Sequence, residues 1–218
     1  VGYEIARNFG IKVVPPAPAL VGFTVQKEEF WFKNLSGVCF PAEISVVCAS
    51  KNAVNRELKT PRKFAGDILF THKGISGPAV LNASLFWQKG LMAINFCPNF
   101  SIETAQKSKK QLSTVLPLPR RFTLEFLRAA GLNDKPYGEY KVDEAAKISR
   151  LFAYEFAPAG TFGFERVEVT KGGVDTDALD ANCSHKDTRG LYFIGEVLNV
   201  TGMLGGYNLH FAFACAAN

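Results

Sequence analysis

The C-terminal region combines four features whose order restricts how this chain can fold. Leu191 to Ile194 are consecutive apolar residues, typical of a buried strand, and Gly195-Glu196 follows at once. Three glycines, Gly202, Gly205 and Gly206, then precede the apolar stretch 207–217, which predicts a helix. We therefore expect a strand, a carboxylate, bare backbone and a helix N-terminus to meet at one place.

This order suits a dinucleotide such as FAD. A carboxylate accepts hydrogen bonds from ribityl or ribose hydroxyls, and the free N–H groups of a helix N-terminus attract electron-rich ligand atoms. The same order also describes an ordinary buried strand and glycine-rich turn in any open α/β protein, and the sequence contains no G-x-G-x-x-G fingerprint. The residues alone leave both interpretations open.

Three separated segments point to a known family. They are residues 2–7 with 18–21, residues 69–81, and residues 169–174 continuing through 190–213. In order and spacing these segments resemble the BaiN-like NAD(P)/FAD-dependent oxidoreductases, which are also described as aminoacetone oxidase-like flavoproteins. The middle segment, LFTHKGISGPAVL, is the most specific of the three.

The resemblance implies an α+β fold: a six-stranded type of β-barrel with an inserted three-helix lobe, together with terminal remnants of a Rossmann-like FAD domain. The implied remnants are residues 1–20 and 169–218. The implied insert domain is 21–168, with the barrel at 21–98 and 159–168 and the helical lobe at 99–158. Family members hold the ADP part of FAD in an N-terminal half, so we expect this chain to be a fragment without that half.

The resemblance also implies roles for individual residues. Glu196 would bind flavin hydroxyls, Gly195 would let the flavin chain pass, and the helix start at 205–209 would face the N1/C2 edge of the flavin. Gly172-Gly173 resembles a second point of close approach, although an ordinary turn would look the same. The implied cofactor-binding residues are Gly172, Gly173, Gly195, Glu196, Gly202, Gly205, Gly206, Tyr207, Asn208 and Leu209.

The segment around His72 is the candidate wall of the substrate cleft, with Thr71, Ser76 and Gly77. Imidazoles exchange protons near neutral pH, so His72 is the candidate catalytic residue, donating a proton as hydride leaves the flavin. The alternative is that His72 only orders its loop and Ser76 only caps the helix that follows.

Composition favours a soluble, cytoplasmic protein without a metal site. The chain has 218 residues, 47% of them hydrophobic, and no uninterrupted apolar run of the roughly 18 residues that span a membrane. The five cysteines, an odd number without a C-x-x-C pair, argue against a disulfide framework and a zinc ribbon. They are Cys39, Cys48, Cys97, Cys183 and Cys215.

The net charge of +5 has its clearest concentration at Lys107, Lys109, Lys110, Arg120 and Arg121. Such a cluster is able to meet phosphates or attract an anionic cofactor, but it is more often the solvated face of helices. Because no aromatic residues interleave it to stack on bases, we expect no nucleic acid as partner. The absence of a membrane-length apolar run leads us to expect no membrane as partner.

Periodicity and turn residues predict the elements. Strands are expected at 11–14, stopped by Pro15-Pro16, and at 20–25, 29–33, 38–48, 59–64, 67–71, 91–97, 164–169 and 191–194, with a turn at 51–55. Helices are expected at 3–9, 77–88 with Ser76 as N-cap, 102–115, 119–130, 143–156 and from 207 onward. The strand 164–169 is assigned to the barrel.

Three functional hypotheses follow. The first is part of an FAD-dependent, NAD(P)H-linked oxidoreductase acting on a small organic substrate. The second is a non-catalytic substrate-binding or interaction module, inactive alone and completed by the missing N-terminal FAD domain or by another chain. The third is a basic barrel that binds RNA.

Overall fold

A computed structural model describes residues 1–46 and 61–217, which form two compact units. One unit is Gly22–Phe162, and the other combines Val1–Val21 with Gly163–Asn218. The predicted turn 51–55 lies outside the described residues. So do the end of the predicted strand 38–48, with Cys48, and the start of the predicted strand 59–64.

The strands are β1 (Val13–Val21), β2 (Phe23–Val25), β3 (Cys39–Val46), β4 (Arg62–Thr71), β5 (Gly74–Ser76), β6 (Met92–Asn95), β7 (Tyr154–Phe156), β8 (Pro158–Thr161) and β9 (Val167–Val174). The α-helices are α1 (Gly2–Asn8), α2 (Pro78–Ser84), α3 (Ile102–Gln106), α4 (Leu112–Val115), α5 (Arg120–Ala129), α6 (Val142–Ser149) and α7 (Tyr207–Ala217). Short 3₁₀ helices include Lys27–Leu35, Phe164–Arg166 and Gly195–Val197.

The larger unit is an antiparallel barrel sheet with a helical insert, so the predicted fold class is confirmed. Its seven strands pair in the order β7-β6-β3-β4-β5-β2-β8, one strand more than predicted. Along β3 the buried and less buried residues alternate, which places Phe40, Ala42, Ile44 and Val46 in the core. Helices α3 to α6 are inserted between β6 and β7.

Helix α5 is the most regular part of the insert, and its ends match the prediction. Pro119 precedes its first residue, and Gly131, with φ of +70°, follows its C-cap. Its buried face packs Phe122 and Phe126 against Trp31, with ring centroids 5.9 Å apart in both pairs.

The segment predicted as a strand at 29–33 is the 3₁₀ helix Lys27–Leu35, so that prediction is wrong. Its fully buried residues are three apart, Phe32 and Leu35, and Glu29 is also buried. This spacing is the period of a 3₁₀ helix, and the apolar composition had suggested a strand.

Two predicted helices in the insert are also wrong in their extent. The helix predicted at 102–115 is divided into α3 and α4. The helix predicted at 143–156 ends at Ser149, because Tyr154 and Phe156 pair with β6 opposite Ile94 and Met92. Strand β7 has only three residues, and so short an apolar alternation cannot be distinguished in the sequence from the apolar face of a helix.

Helix α2 is shorter than predicted, and its N-cap is Gly77 rather than Ser76. Ser76 belongs to β5, where it pairs with Leu69 of β4. Gly77 is required here by its φ of +96° and because a Cβ would lie 2.6 Å from the carbonyl oxygen of Asp67.

The smaller unit contains an antiparallel pair, β1 with β9. Pro15-Pro16 does not stop β1, contrary to the prediction, because the register shifts between Val14 and Ala17 and prolines are tolerated at such irregularities. The strand predicted at 164–169 begins only at Val167, and it pairs with β1 instead of joining the barrel sheet.

The predicted strand 191–194 does not form a ladder in the described part of the chain. Ile194 is extended, with φ of −131° and ψ of 154°, but pairing is limited to an isolated bridge between Ser184 and Tyr192. The described residues contain one parallel contact, the bridge from Val174 to Leu198, and no parallel sheet of the Rossmann kind.

The smaller unit has its own apolar core, composed of Ala6, Ile11, Val174, Leu179, Phe193, Leu198 and Cys215. In residues 1–46 and 61–217, none of the helices has the length and apolar character needed to cross a bilayer.

Candidate functional site

The turn Gly195–Val197 carries the predicted acid and lies against helix α7. Gly195 is buried with φ of +70°, and a Cβ there would lie 3.3 Å from the Cβ of Ala212. Conformation and space therefore both favour glycine at this position.

Glu196 is exposed and bridges the turn to strand β9. Its Oε1 accepts a hydrogen bond of 2.7 Å from the backbone N–H of Thr170. This contact fixes the carboxylate, and its other lone pairs, including both of those on Oε2, have capacity to accept from a ligand.

Asn208 holds the glycine-rich loop onto the start of helix α7. Its Oδ1 accepts from the N–H of Gly202 at 2.7 Å, and its Nδ2 donates to the carbonyl of Gly202 at 3.1 Å. This reciprocal pair is the local reason why the loop 202–206 returns to the helix at a defined position.

Gly205 and Gly206 form the sharpest part of the loop, with φ of +127° and +85°. A Cβ at Gly206 would meet nothing within 4 Å, so the backbone at this position is bare and open. The N–H groups of the first helical residues, Tyr207 to Leu209, have no acceptor within the helix and point out of its N-terminus.

These features surround a cavity of about 230 Å³ within the smaller unit. Five predicted cofactor residues line it: Glu196, Gly205, Gly206, Asn208 and Leu209. Gly195, Gly202 and Tyr207 adjoin lining residues in the chain but do not themselves line the cavity. The other lining residues are Leu20, Glu168, Val169, Met203, Leu204 and Ala212.

Leu20, Glu168 and Val169 were missed by the sequence analysis. They reach the cavity because β1 and β9 are paired, with Ala19 opposite Val169. A pairing between residues so distant in sequence leaves no local signal.

Gly172 and Gly173 lie in β9 and do not line the cavity. A Cβ at Gly172 would lie 2.5 Å from the carbonyl oxygen of Pro15, and a Cβ at Gly173 would lie 2.4 Å from that of Val197. The sequence had suggested that the cofactor approaches the backbone at these glycines. In the structure, backbone carbonyl groups of the protein itself occupy that space.

Lys171 is the titratable group on this strand whose pKa is shifted. Burial lowers the pKa of its ammonium group, and the residue pairs with Ala17 across the two-stranded sheet. Partial burial of a cation beside β1 weakens its preference for the charged form.

The predicted catalytic residue and substrate-cleft residues belong to the barrel unit. His72 is exposed in the turn between β4 and β5, and Thr71 orders this turn: its Oγ1 accepts from the N–H groups of Lys73 at 3.2 Å and Gly74 at 3.1 Å. Ser76 and Gly77 follow at the end of β5 and the start of α2.

The arrangement in the smaller unit suits an elongated ligand with hydroxyl groups and an electron-rich edge. A fixed carboxylate accepts from hydroxyls, bare backbone permits close approach, and the helix N-terminus meets negative charge. Among the described residues, no three His, Cys, Asp or Glu side chains are grouped as metal ligands would be.

Comparisons with known proteins identify relatives and a family for this chain. The chain is 38% identical over 226 residues to a ribosomal RNA dihydrouridine synthase of Haemophilus influenzae, covering 99% of this chain and 53% of that protein. It is 38% identical over 229 residues to the Escherichia coli protein of the same name, with coverage of 99% and 54%.

A third relative is a 3-dehydro-bile acid delta(4,6)-reductase of Clostridium scindens, 27% identical over 238 residues, with coverage of 98% of this chain and 55% of that protein. The chain therefore spans about half the length of the curated relatives it matches.

A family model described as "HI0933-like protein barrel and H2TH domain" matches residues 17–169, which is most of the chain and includes the whole barrel unit with its helical insert. Together with the relatives at 38% identity, this match shows that the chain belongs to the HI0933-like family.

Proposed function

We propose that this chain is part of an FAD-dependent reductase of the BaiN-like type, with NAD(P)H as electron donor, that reduces uridine in ribosomal RNA. The observation that carries the flavin part is the cavity where Glu196, the Gly205-Gly206 backbone and the start of α7 converge. The family and the reductase relative support an oxidoreductase of the flavoprotein type.

The residues present fit FAD at its flavin end. Gly206 leaves space that a side chain would fill, and the N-terminus of α7 suits the N1/C2 edge of the ring system. Glu196 would accept a hydrogen bond from a ribityl hydroxyl through Oε2. When bound, FAD supplies hydride transfer.

The substrate proposal comes from the relatives. Two of them, at 38% identity, are named for dihydrouridine in ribosomal RNA, and the third is named for reduction of carbon–carbon double bonds in a steroid acid. In uracil the C5=C6 bond is conjugated to a carbonyl, as are the double bonds of a 3-oxo-4,6-diene. Hydride addition to a conjugated double bond is the chemistry that these substrates share.

This proposal departs from the small organic substrate and the absence of nucleic acid that the sequence suggested. The charge distribution favours RNA, because residues 101–150 contain ten Lys and Arg against six Asp and Glu and so hold most of the net charge of +5.

The proton that completes the reduction would come from His72. Its imidazole is exposed on a turn that Thr71 holds in shape. We expect His72→Gln to lower kcat about a hundred-fold. Lys73→Gln, in the same turn, serves as the control. An unchanged kcat in His72→Gln would show that His72 is not the proton donor.

The rest of the functional protein is proposed to be a further FAD-binding portion, on the same polypeptide or on another chain. The smaller unit exposes large apolar side chains: Tyr192, Ile194, Met203, Tyr207, Leu209 and Phe213. Exposed apolar side chains of this size and number favour coverage by a partner. The same observation favours the second candidate, a chain that is non-catalytic alone.

The visible spectrum separates these candidates. The chain is purified alone, and again after co-expression with the part of the Haemophilus influenzae relative that it does not match; FAD is added to both. We expect flavin absorbance that NADPH bleaches in the co-expressed sample. A colourless chain in the first sample supports the non-catalytic module, and a colourless co-expressed sample contradicts the FAD proposal.

The substrate is tested with the flavin-loaded sample. Unmodified ribosomal RNA transcript and NADPH are incubated with it, and nucleosides are examined by mass spectrometry for the gain of two hydrogen atoms on uridine. A 3-oxo-4,6-diene bile acid is the comparison substrate. Reduction of the steroid without reduction of RNA would contradict the RNA proposal and leave the reductase class standing.

A further inference from the structure

A second cavity, of about 300 Å³, lies within the barrel unit and has no role in the function proposed above. It is bounded by the 3₁₀ helix Lys27–Leu35, the C-terminal end of α5 and the connection from α6 to β7. All of its lining residues are in the barrel unit and its helical insert.

One wall of the cavity is a hydrogen-bonded aromatic pair. Trp31 donates from Nε1 to the Tyr154 hydroxyl at 3.2 Å, and the ring centroids are 5.9 Å apart in an edge-to-face arrangement. The guanidinium of Arg150 lies over the Tyr154 ring, 4.8 Å from its centroid. Aromatic side chains and arginine guanidinium groups are the side chains against which planar ligands stack.

The cavity also contains a buried carboxylate. Glu29 is only 8% exposed, although it is a charged residue on a surface helix. Burial raises the pKa of its carboxyl and repulsion from Glu28 adds to this, whereas a hydrogen bond from its own backbone N–H and, to a smaller extent, the charge of Arg150 oppose the rise. Keeping an acid in such a position costs stability, so a ligand that donates further hydrogen bonds to the carboxylate would recover part of that cost.

The cavity presents charges of both signs. Glu28 and Glu29 would repel a simple anion, and Lys147 and Arg150 would repel a simple cation. A complementary ligand therefore has an anionic group for the two bases and hydrogen-bond donors for the carboxylates. A nucleotide meets both requirements through its phosphate and its base.

The carboxylate further selects among bases. An ionised carboxylate only accepts hydrogen bonds and has two oxygens side by side. Guanine offers two adjacent donors, N1–H and the N2 amino group. Adenine, cytosine and uracil place an acceptor beside each donor on the same edge. Single-stranded RNA is commonly recognised at such edges and by stacking on aromatic or arginine planes.

We propose that this cavity binds a guanine nucleotide of single-stranded RNA, with the base edge on Glu29 and the phosphate on Lys147 and Arg150. That the nucleotide belongs to RNA rests on the proposed function. The excess of basic residues at 101–150 would draw the RNA backbone to this part of the molecule.

The test is a binding titration on the full chain with GMP, IMP and AMP as probes. Tryptophan fluorescence and calorimetry each measure the dissociation constants. IMP differs from GMP by lacking the N2 amino group. We expect GMP to bind about ten-fold more tightly than IMP. Glu29→Gln should reduce GMP affinity to that of IMP, while the control Glu155→Gln, on the exposed side of β7, should change nothing.

A second variant tests the phosphate contact without touching the buried acid. Arg150 is exposed, so Arg150→Gln should fold normally. We expect it to reduce the advantage of GMP over guanosine, with the remainder supplied by Lys147; an unchanged advantage would contradict the phosphate contact. Near-ultraviolet circular dichroism verifies that each variant is folded.

Two results would overturn the proposal: equal affinity for GMP and AMP, or full GMP affinity in Glu29→Gln. The RNA source is tested with oligouridine containing one central guanosine, which should bind more tightly than plain oligouridine. Equal binding of the two would contradict the RNA assignment. None of these measurements needs FAD or reduction, so a failed reductase assay would leave their outcome unaffected.

Discussion

Gly173 and Gly206 lack side chains for different physical reasons. Both have positive φ, but a Cβ at Gly173 would collide with a carbonyl oxygen 2.4 Å away, whereas a Cβ at Gly206 would enter open space. The first glycine lets two backbone segments of the smaller unit meet. The second leaves room at the cavity, as a ligand site requires.

The contact at Gly173 predicts a large loss of stability on adding one methyl group. Gly173→Ala should lower the free energy of unfolding by about 3 kcal/mol or more, because strain and collision add. Gly190→Ala is the control: its φ is +82° with nothing within 4 Å, so roughly 1 kcal/mol is expected. Urea unfolding gives both values, and equal losses would show that the collision is relieved.

The position of Glu196 predicts a specific effect on flavin affinity. Glu196→Gln keeps an oxygen for the Thr170 N–H but removes the negative charge that strengthens a bond to a hydroxyl. We expect the FAD dissociation constant of the co-expressed protein to rise about ten-fold. Flavin fluorescence measures it, with Glu165→Gln as control. A constant unchanged in Glu196→Gln would show that the carboxylate does not touch the cofactor.

Elements with distinct end signals were predictable from the sequence, and elements defined by partners were not. Helix α5 is bounded by Pro119 and Gly131, and its predicted ends differ by about one residue from the observed ones. Strand β7 has no such signal, because Tyr154 and Phe156 are strand residues only through their pairing with β6. The prediction that Pro15-Pro16 ends the first strand was wrong for the same reason, because the register shift that accommodates the prolines depends on pairing with β9.

An ion pair at the end of the β1–β9 ladder predicts a pH dependence. Lys12 Nζ lies 2.7 Å from Asp175 Oδ2, and the Asp175 backbone N–H donates to the Lys12 carbonyl at 2.9 Å. The hydrogen bond from Lys12 lowers the pKa of the Asp175 carboxyl below its ordinary value of 3.8. The folded state therefore binds this proton less tightly than the unfolded state does.

The stabilisation from this pair is present above the ordinary carboxyl pKa and is lost as the pH falls through the folded value. Asp175→Asn should lower Tm at pH 7, and the difference from the unmodified chain should shrink between about pH 5 and pH 3. Asp187→Asn, at an exposed position, should show no such trend. A Tm difference that stays constant with pH would contradict the ion-pair explanation.

For the chain in its entirety, local sequence patterns identified five of the eleven residues that line the first cavity. These five, Glu196, Gly205, Gly206, Asn208 and Leu209, are close in sequence, so one motif revealed them. Leu20 and Glu168 reach the same cavity through a strand pairing that spans most of the chain length. The residues of the second cavity were not predicted at all, because they come from three separated elements of the barrel unit.

The barrel unit is expected to fold by itself. Its two ends meet, since the Phe162 N–H donates to the Gly22 carbonyl at 2.9 Å and β2 pairs with β8. Its core cluster, from Phe23 to Phe156, lies wholly inside Gly22–Phe162, so excision removes no residue from that core. A chain limited to these residues should melt cooperatively and keep a near-ultraviolet signal from Trp31 and Trp87. A fragment that binds a hydrophobic dye and lacks this signal would show that the barrel requires the rest of the chain.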